Sequence, residues 1–521
     1  MKMKYIFLAA LAFVAMPMSA QETYENVKLA NQDLNGTARY VGMGGAMDAL
    51  GADISTISSN PAGLGLFRQS QILLSSGLVS QQDGKDFANG KKTNASFDQF
   101  GFVYATRSNG NSFLNFGFNY HKSNNFDYIL ASAGSLSDAS QNKLTYIKAR
   151  GGYLFDNNGD DYVSSSRLDE LYAHSLLLES DNVYRYKSAT SFNFDRAHTG
   201  YIGEYDFNMS GNIKDRIYLG VTFGLYDVHY KGYSEYTEQL AANAMNLSSI
   251  TVTDSRKITG NGFDVKAGVI FRPIENSPFR IGLSIATPTF YDLKSDSYTT
   301  LGNSYVGLSD PYEFKVNTPW KFGLSLGHTV GNFLALGAVY EYEDYGSIDS
   351  RVIDGGSWDS YDGYYQTSSS SDKDMNDQTE QVLKGVSTLK LGFEYKPIRD
   401  FAIRFGYNHQ SAIYDKNGAK GFYSNGDFVQ SPGIYYSSTM DYTNWKDTNR
   451  FTFGLGYQFD KFNVDLAYQY SATNGDFHPF ADAYGDFKNS DGSTEKVENY
   501  ATVTSVSNKR HQLLLTFGYR F

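Results

Sequence analysis

Residues Ile217–Tyr226 read IYLGVTFGLY, and their side chains alternate between two kinds. One face carries Ile217, Leu219, Val221, Phe223 and Leu225, and the other carries Tyr218, Gly220, Thr222, Gly224 and Tyr226. Because successive side chains of a β-strand point to opposite faces, this pattern predicts a strand with one apolar face. Strands of roughly ten residues with such a pattern are typical of transmembrane β-barrels.

The same alternation recurs through the rest of the chain. It is found in Ser70–Val79, Phe100–Ala105, Leu114–Tyr120, Tyr201–Met209, Phe263–Phe271, Phe279–Ala286, Trp320–Gly327, Leu334–Tyr342, Leu389–Lys396, Phe401–Asn408, Phe451–Phe459, Phe462–Tyr470 and His511–Phe521. Together with the first stretch, these segments predict an all-β fold, a transmembrane antiparallel β-barrel of about 14 strands.

The connections between these strands are alternately short and long. The short ones are Arg107–Asn111, Gly211–Arg216, Arg272–Pro278, Thr329–Asn332, Pro397–Asp400 and Asp460–Lys461. The long ones are Ser80–Phe97, His121–Thr199, Val228–Gly260, Thr287–Pro311, Glu343–Lys384, His409–Asp447 and Ser471–Ser507. Outer-membrane barrels have short periplasmic turns and long extracellular loops, so we expect both chain ends on the periplasmic side.

The long connections contain four segments with predictions of their own. In the longest, Leu136–Ala149 and Ser165–Glu179 are predicted helices, and the second either covers the barrel mouth or grips a ligand. Asp156–Asp161 looks like a calcium-binding loop but lacks glycine at its sixth position, so we interpret it as an acidic turn. Asp372–Glu380 is predicted to be a solvated loop tip.

Both ends of the chain indicate an exported protein. Residues 1–20 have the form of a secretory signal peptide, with the apolar run Tyr5–Val14 and cleavage after Ala20. That run is too short to span a membrane, and no later apolar run reaches the roughly 18 residues that a helical span needs. The last strand ends in Phe521 and resembles the terminal strand by which outer-membrane barrels are recognised for insertion. We therefore expect the bacterial outer membrane as the location, with its lipids and its assembly machinery as partners.

Composition and motifs argue against several other functions. The net charge of −11 gives no reason to expect nucleic-acid binding. The absence of cysteine excludes disulfides, thiolate nucleophiles and thiolate metal sites. No serine-hydrolase elbow, Walker loop or zinc-protease motif occurs, and His121, His409 and His478 are expected to be ordinary surface residues. We therefore expect no enzymatic activity, no metal site and no cofactor.

A stretch rich in small residues precedes the first strand. Gly42–Phe67 reads GMGGAMDALGADISTISSNPAGLGLF, and its glycines weaken any long helix. Such a compact segment can pack inside a barrel, so we interpret residues 21–68 as an N-terminal plug, or hatch, in the lumen of a barrel formed by residues 69–521. A rigid turn is predicted where the plug meets the wall, and its residues are the candidate gate: Asn60, Pro61, Ala62, Gly63 and Leu64.

Some residues on the predicted inward faces are apolar, which an open aqueous pore has little use for. They are Ile202, Tyr218, Tyr226, Ile270 and Leu514. They either pack against the plug or line a path for a hydrophobic ligand, and both interpretations stay open. Charged inward residues are expected in any water-filled or plugged barrel, and these are Glu204, Asp206, Asp264, Lys266 and Arg272.

Several short motifs point to one known family. They are Gly42-Met43-Gly44-Gly45-Ala46, the region of Asp53, Asn60-Pro61-Ala62-Gly63-Leu64, Thr287-Pro288-Thr289-Phe290-Tyr291, Thr318-Pro319-Trp320-Lys321 and Tyr340-Glu341-Tyr342-Glu343-Asp344-Tyr345. With these motifs the chain resembles, over nearly all of its length after residue 20, the FadL-type outer-membrane transporters of long-chain fatty acids and aromatic hydrocarbons. It departs from that family at Ser58-Ser59, where an aromatic residue often precedes the Asn.

The resemblance implies a 14-stranded barrel sealed by an N-terminal hatch. It further implies that a hydrophobic small molecule is caught at the outer loops, passes to a pocket beside the hatch and leaves through a gap in the wall by passive diffusion. Two other classes stay open. One is a surface receptor or adhesin that binds haem, glycan or protein through its loops. The other is an outer-membrane lipase or protease, for which the sequence lacks the motifs.

Overall fold

The computed structural model describes residues 22–109, 112–152, 154, 166–179, 183–241, 247–302, 307–359, 364–420, 423–424, 427–428, 437–489 and 491–521. The described α-helices are α1 (Thr23–Ala30), α2 (Ala38–Gly42), α3 (Gln141–Arg150), α4 (Arg167–Tyr172) and α5 (Lys373–Val382). Within this part of the chain, no helix is long and apolar enough to cross a membrane.

Strands make up most of the molecule. They are β1 (Gln71–Gln81), β2 (Thr93–Asn109), β3 (Ser112–Asn125), β4 (Tyr128–Ser135), β5 (Ala189–Ile213), β6 (Ile217–Leu240), β7 (Ser249–Phe271), β8 (Arg280–Ala286), β9 (Phe290–Leu301), β10 (Gly307–Asn317), β11 (Lys321–Val330), β12 (Leu334–Asp344), β13 (Asp349–Asp359), β14 (Tyr364–Ser371), β15 (Gly385–Ile398), β16 (Phe401–Gln410), β17 (Tyr423–Ser424), β18 (Asp427–Phe428), β19 (Tyr442–Phe459), β20 (Phe462–His478), β21 (Ala483–Lys488), β22 (Thr494–Asn499) and β23 (Thr504–Arg520).

Fourteen of these strands close into an antiparallel barrel. Each hydrogen-bonds to the next in the order β1, β2, β3, β5, β6, β7, β8, β11, β12, β15, β16, β19, β20, β23. Strand β23 then pairs with β1 from Arg520↔Gln71 to Arg510↔Gln81, which leaves no edge. The predicted fold class is confirmed.

A band of exposed apolar side chains surrounds the barrel. On β6, Leu219, Val221 and Phe223 are 43–51% exposed, whereas the intervening Thr222 is fully buried. Further along the same face, Asp227 replaces the apolar residues. An outward apolar band that gives way to charged residues is the lipid-facing surface of a transmembrane barrel, and it confirms the predicted register of this strand.

The two ends of the barrel differ. At the turn end, short connections such as 214–216 and 460–461 join neighbouring strands; the opposite end is the loop end. The sequence predicted long loops over Val228–Gly260 and Thr287–Pro311, and this prediction was wrong. Strands β6 and β7 continue through most of the first segment because they remain paired up to Gln239↔Ser249, and β9 and β10 fill most of the second. On this side the wall rises well beyond the apolar band.

A folded lobe covers the loop end. The two predicted helices are present, as α3 and as α4 followed by a π-helical turn, Ala173–Leu177. Their apolar side chains pack with the ends of β5, β6, β7 and β20, and the rings of Phe194 and Phe477 lie 4.9 Å apart. Because β5 and β20 lie on different sides of the barrel, this shared core bridges its mouth. The predicted acidic turn at Asp156–Asp161 lies outside the described residues.

The prediction of a solvated loop tip at Asp372–Glu380 was wrong. The segment forms α5, whose first turn is capped by the Asp372 carboxylate accepting a hydrogen bond from the Met375 N–H. Met375, Thr379 and Val382 recur at helical spacing and are buried, because this helix packs against α1.

Residues 22–69, called the plug below, lie inside the barrel. They comprise α1, α2 and two 3₁₀ helices, Ile54–Ile57 and Pro61–Leu66. Four small apolar clusters join them to inward side chains of the wall: one around Ile57 and Leu64, one around Met43 and Met47, one around Ala62, and one around Ala38 and Val41. Small residues in the plug let its backbone come close to the wall.

Candidate functional site: a plugged lumen with a window in its wall

The predicted turn at Asn60–Leu64 lies against the wall. Asn60 caps the 3₁₀ helix by accepting a hydrogen bond from the Ala62 N–H through Oδ1, at 3.2 Å. A Cβ on Gly268 would lie 2.0 Å from that Oδ1, and a Cβ on Gly220 would lie 2.4 Å from the carbonyl carbon of Pro61. The turn therefore reaches the wall only because glycine stands at both wall positions.

All five predicted inward apolar residues do point into the lumen, with exposures of 0–3%. Tyr218 and Ile270 pack against Ala62, and Leu514 packs against Ala38 and Val41. The other two, Ile202 and Tyr226, belong to the apolar cluster around α1. Of the five, Ile202 borders a small cavity of about 30 Å³.

A larger cavity, of about 230 Å³, lies between α1 and the wall near the loop end. Seven Phe, Tyr and Trp side chains line it: Tyr24, Phe126, Tyr128, Tyr230, Tyr414, Tyr442 and Trp445. The rings of Tyr24 and Tyr414 stack at 5.1 Å. Aromatic rings offer large apolar surfaces at little cost in conformational entropy, so these walls suit a ligand with an apolar face.

The same cavity also has charged and polar lining groups. Arg196 and Asp441 form an ion pair at 2.7 Å, and Lys28 and Glu25 form another at 2.7 Å. The buried hydroxyl of Tyr128 makes no hydrogen bond. The cavity is therefore less uniformly apolar than the pocket implied by the family resemblance.

Beside the cavity, the wall of the barrel is interrupted. The hydrogen-bonded pairing of β2 with β3 ends at Gln99↔His121. Beyond that pair, residues 93–97 of β2 pair only with β1, and residues 122–125 of β3 pair only with β5. Register shifts on both sides leave Asp98 and Ser123 as extra, unpaired residues, and such β-bulges re-aim strands and end pairing.

This interruption, called the window below, has defined edges. On the far side, the side chain of Gln81 donates to the carbonyl of Ile129 at 2.7 Å and accepts from the Ile129 N–H at 2.9 Å. On the outer face beside it, Phe97 and Leu78 are 48% and 51% exposed. The window therefore opens beside the apolar outer surface.

One plug residue spans the window. Asn35 Nδ2 donates to Asp98 Oδ1 of β2 at 3.2 Å and to the carbonyl of Lys122 of β3 at 3.0 Å. A small cavity of about 20 Å³ at this point shares Asp33 and Arg510 with the large cavity. Cavity, bridging residue and window are thus contiguous.

The sequence analysis did not identify the residues of the window, because none of them belongs to a recognisable motif. His121, predicted to lie on the surface, is instead 8% exposed. Its side chain follows Asn115 and Asn119 on the inward face of β3, and extending the predicted strand Leu114–Tyr120 by one residue would have found it. Nothing in the local pattern marks Asn35, whose partners come from strands more than 60 residues away.

No family model and no curated protein sequence matches the chain. Among solved structures, it is similar to a FadL homologue of Pseudomonas aeruginosa, with 11% identity, a TM-score of 0.49 and coverage of 97% of this chain and 99% of that one. The toluene transporter TodX of Pseudomonas putida gives 12% identity, a TM-score of 0.46 and coverage of 94% and 100%. The toluene transporter TbuX of Ralstonia pickettii gives 12% identity, a TM-score of 0.46 and coverage of 94% of this chain and 99% of that one.

Proposed function

We propose that the chain is an outer-membrane channel for the uptake of hydrophobic small molecules by passive diffusion. A solute enters the aromatic-lined cavity from the loop end and leaves sideways through the window between β2 and β3. The plug is the gate, because its residue Asn35 bridges the two strands where their backbones no longer pair and where Lys122 Nζ donates to Ser96 Oγ at 2.7 Å as a direct side-chain contact. The observation that carries the proposal is this window, contiguous with the cavity and bridged by the plug.

The physical chemistry favours a sideways exit. An apolar solute gains roughly 25 cal/mol for each Å² of surface that leaves water, first in the cavity and then in the bilayer. A path that ends in hydrocarbon therefore needs no external energy. A path through the turn end would have to return the solute to water past the tightly packed plug.

A cross-link across the window tests this route. The chain contains no cysteine, so an introduced pair is unique. We choose Ala95→Cys on β2 with Ser123→Cys on β3, joined by a bifunctional thiol reagent. The measurement is uptake of radiolabelled toluene and laurate by proteoliposomes before and after cross-linking. We expect at least a fivefold loss of uptake with the window cross-linked.

The matched control joins the same two strands where they are already paired, with Thr106→Cys and Leu114→Cys. This cross-link adds no constraint at the window, so uptake should stay within twofold of the untreated protein. Equal uptake with and without the window cross-link would contradict the proposed exit. Failure of the wild-type protein to take up either probe would instead favour the receptor interpretation of the loop-end lobe.

A further inference from the structure

A group of ionisable side chains is buried at the inner end of the window. His121 of β3, Glu204 and Asp206 of β5, and Asp264 and Lys266 of β7 all face the lumen and are 8% exposed or less. This group is called the lumen cluster below. It plays no part in the proposed route of the solute.

Lys266 contacts one carboxylate oxygen of each of the three acidic residues. Its Nζ lies 2.6 Å from Glu204 Oε1, 3.2 Å from Asp206 Oδ1 and 3.1 Å from Asp264 Oδ1. The second oxygens, Glu204 Oε2 and Asp206 Oδ2, turn to His121 instead. They lie 3.4 Å from its Nε2 and 3.6 Å from its Nδ1, too far for good hydrogen bonds.

The 3.4 Å between His121 Nε2 and Glu204 Oε2 suits two ligands of one metal ion, whereas the other ring nitrogen, Nδ1, lies 3.1 Å from Asn119 Nδ2. Donor atoms bound to a tetrahedral zinc ion at 2.0–2.1 Å lie about 3.3–3.4 Å from each other. One donor atom from each of His121, Glu204 and Asp206 lies within 4.8 Å of the other two, so small side-chain rotations bring all three onto one ion.

The charge of the cluster points the same way. Three carboxylates face one ammonium group, which leaves two negative charges without a counter-charge when His121 is neutral. Burying unpaired charge is expensive, and one divalent cation would balance the cluster.

We propose that His121, Glu204 and Asp206 bind a divalent transition-metal ion, with Lys266 remaining on the opposite oxygens of the two carboxylates. An imidazole beside carboxylates favours zinc and its neighbours over magnesium or calcium, which prefer oxygen ligands alone. The ion joins β3 to β5 at His121↔Glu204, directly below the end of the β2–β3 pairing. If the window is the exit, the ion fixes its lower edge; that consequence rests on the proposed function, whereas the metal site does not.

Metal binding to the full-length protein in detergent micelles tests the site without any transported solute. The chelator-treated protein is titrated with Zn²⁺ by calorimetry, and with Co²⁺ while its ligand-field absorption is recorded. We expect one tight equivalent of Zn²⁺ that displaces the Co²⁺ signal. His121→Gln and Glu204→Gln should each weaken binding at least tenfold, because each removes one of the three ligands.

The control is His328→Gln, which removes a histidine from β11, a strand without ligands of the cluster, and should leave the affinity for Zn²⁺ unchanged. Absence of a stoichiometric Zn²⁺ site in the wild-type protein would overturn the proposal, as would wild-type affinity in a folded His121→Gln variant. The wild-type titration decides the matter even if both ligand variants fail to fold. An uptake assay has no bearing on either outcome.

Discussion

Asn35 is the residue on which the window depends most directly. With one amide group it contacts Asp98 and Lys122 across the two strands, and its Oδ1 accepts from Gln512 Nε2 at 3.2 Å. The bond to the Lys122 carbonyl contributes about 1 kcal/mol, and the bond to the Asp98 carboxylate contributes about 1.5–3 kcal/mol when that group is ionised. The bridge is therefore weak enough to open thermally.

We predict that Asn35→Ala increases the uptake of toluene by proteoliposomes severalfold without reducing the yield of folded protein. The change removes the two hydrogen bonds by which the plug bridges the window and leaves no bulky group in their place, while the direct contact of Lys122 Nζ with Ser96 Oγ remains. Initial uptake rates provide the measurement. Asn94→Ala is the control, because Asn94 lies on β2 beside the window and its side chain donates to the carbonyl of Lys91 instead of reaching β3. A rate unchanged in Asn35→Ala would argue against gating by this residue.

Phe223 tests the lipid-facing band. It is 43% exposed near the middle of the apolar stretch of β6. We predict that Phe223→Arg lowers the free energy of unfolding in a bilayer by roughly 2–4 kcal/mol, the cost of an arginine near the membrane midplane. His229→Arg, further along the same strand and beyond the apolar band, should change it by less than about 1 kcal/mol. Urea titration of refolded protein in vesicles measures the change in the free energy of unfolding for each variant. Equal changes would mean that Phe223 does not lie in the lipid-facing band.

At the scale of the element, the plug is held by charged groups as well as by packing. Arg39 of the plug contacts Glu394 of β15 at 3.2 Å, and Arg404 links that carboxylate to Asp465 with contacts of 2.6 Å each. Asp48 of the plug accepts a hydrogen bond from Ser59 at 2.6 Å, but its Oδ2 has no partner. The burial of Asp48 is therefore incompletely compensated.

Burial raises the pKa of Asp48 from 3.8 to about 6, and the nearby Glu341 carboxylate adds to the effect, against the opposing charge of Lys390. Between roughly pH 4 and pH 6, the folded plug holds a proton that the unfolded plug has released, so its stability falls as the pH rises and then levels off. The loss amounts to something on the order of 3 kcal/mol.

We predict that Asp48→Asn removes this pH dependence and stabilises the plug at pH 7. Hydrogen exchange of the peptide covering residues 40–52, followed by mass spectrometry after correction for intrinsic rates, is the measurement. Protection in the wild type should fall between pH 4 and pH 6, and in the variant it should stay level. Asp83→Asn, at an exposed position in the loop between β1 and β2, should behave as the wild type. A wild-type profile without a slope would contradict the assignment.

At the scale of the whole molecule, two parts of the chain, the lobe and the plug, occupy opposite ends of the barrel. The lobe covers part of the loop end, the plug fills the barrel towards the turn end, and the window lies in the wall next to the aromatic-lined cavity. A second cavity, of about 480 Å³, lies at the turn end beneath the plug, bordered by Arg39, Arg399 and Arg520 among others. The plug therefore separates two spaces of different character.

We predict that deleting Gln21–Leu66 makes the barrel permeable to small polar solutes. Without the plug the lumen loses the groups that fill it, whereas the hydrogen bonds of the barrel wall remain. Planar-bilayer conductance and liposome swelling in arabinose should both rise at least tenfold. Ala62→Trp, which keeps the plug but overfills its contact with Tyr218 and Ile270, should leave polar permeability low. Unchanged permeability after the deletion would mean that the plug is not the seal.

The sequence by itself determined the barrel. Period-two alternation records which face of a strand meets lipid, so Phe223 and Thr222 could be placed on opposite faces from their order alone. The small-residue stretch around Asn60 likewise predicted a compact turn before the first strand. The strand alternation and the small-residue stretch are both local signals, because each is formed by residues that are neighbours in the sequence.

The window, the bridge by Asn35 and the lumen cluster were decided only by the tertiary structure. His121 and Glu204 lie far apart in the chain and meet because β3 pairs with β5. The long connection between these two strands means that their pairing is not evident from the sequence. Closure of the barrel also sets which glycines face the plug, as Gly268 does for Asn60. Pairing partners and contacts across a lumen follow from the whole barrel, so no local pattern could have revealed them.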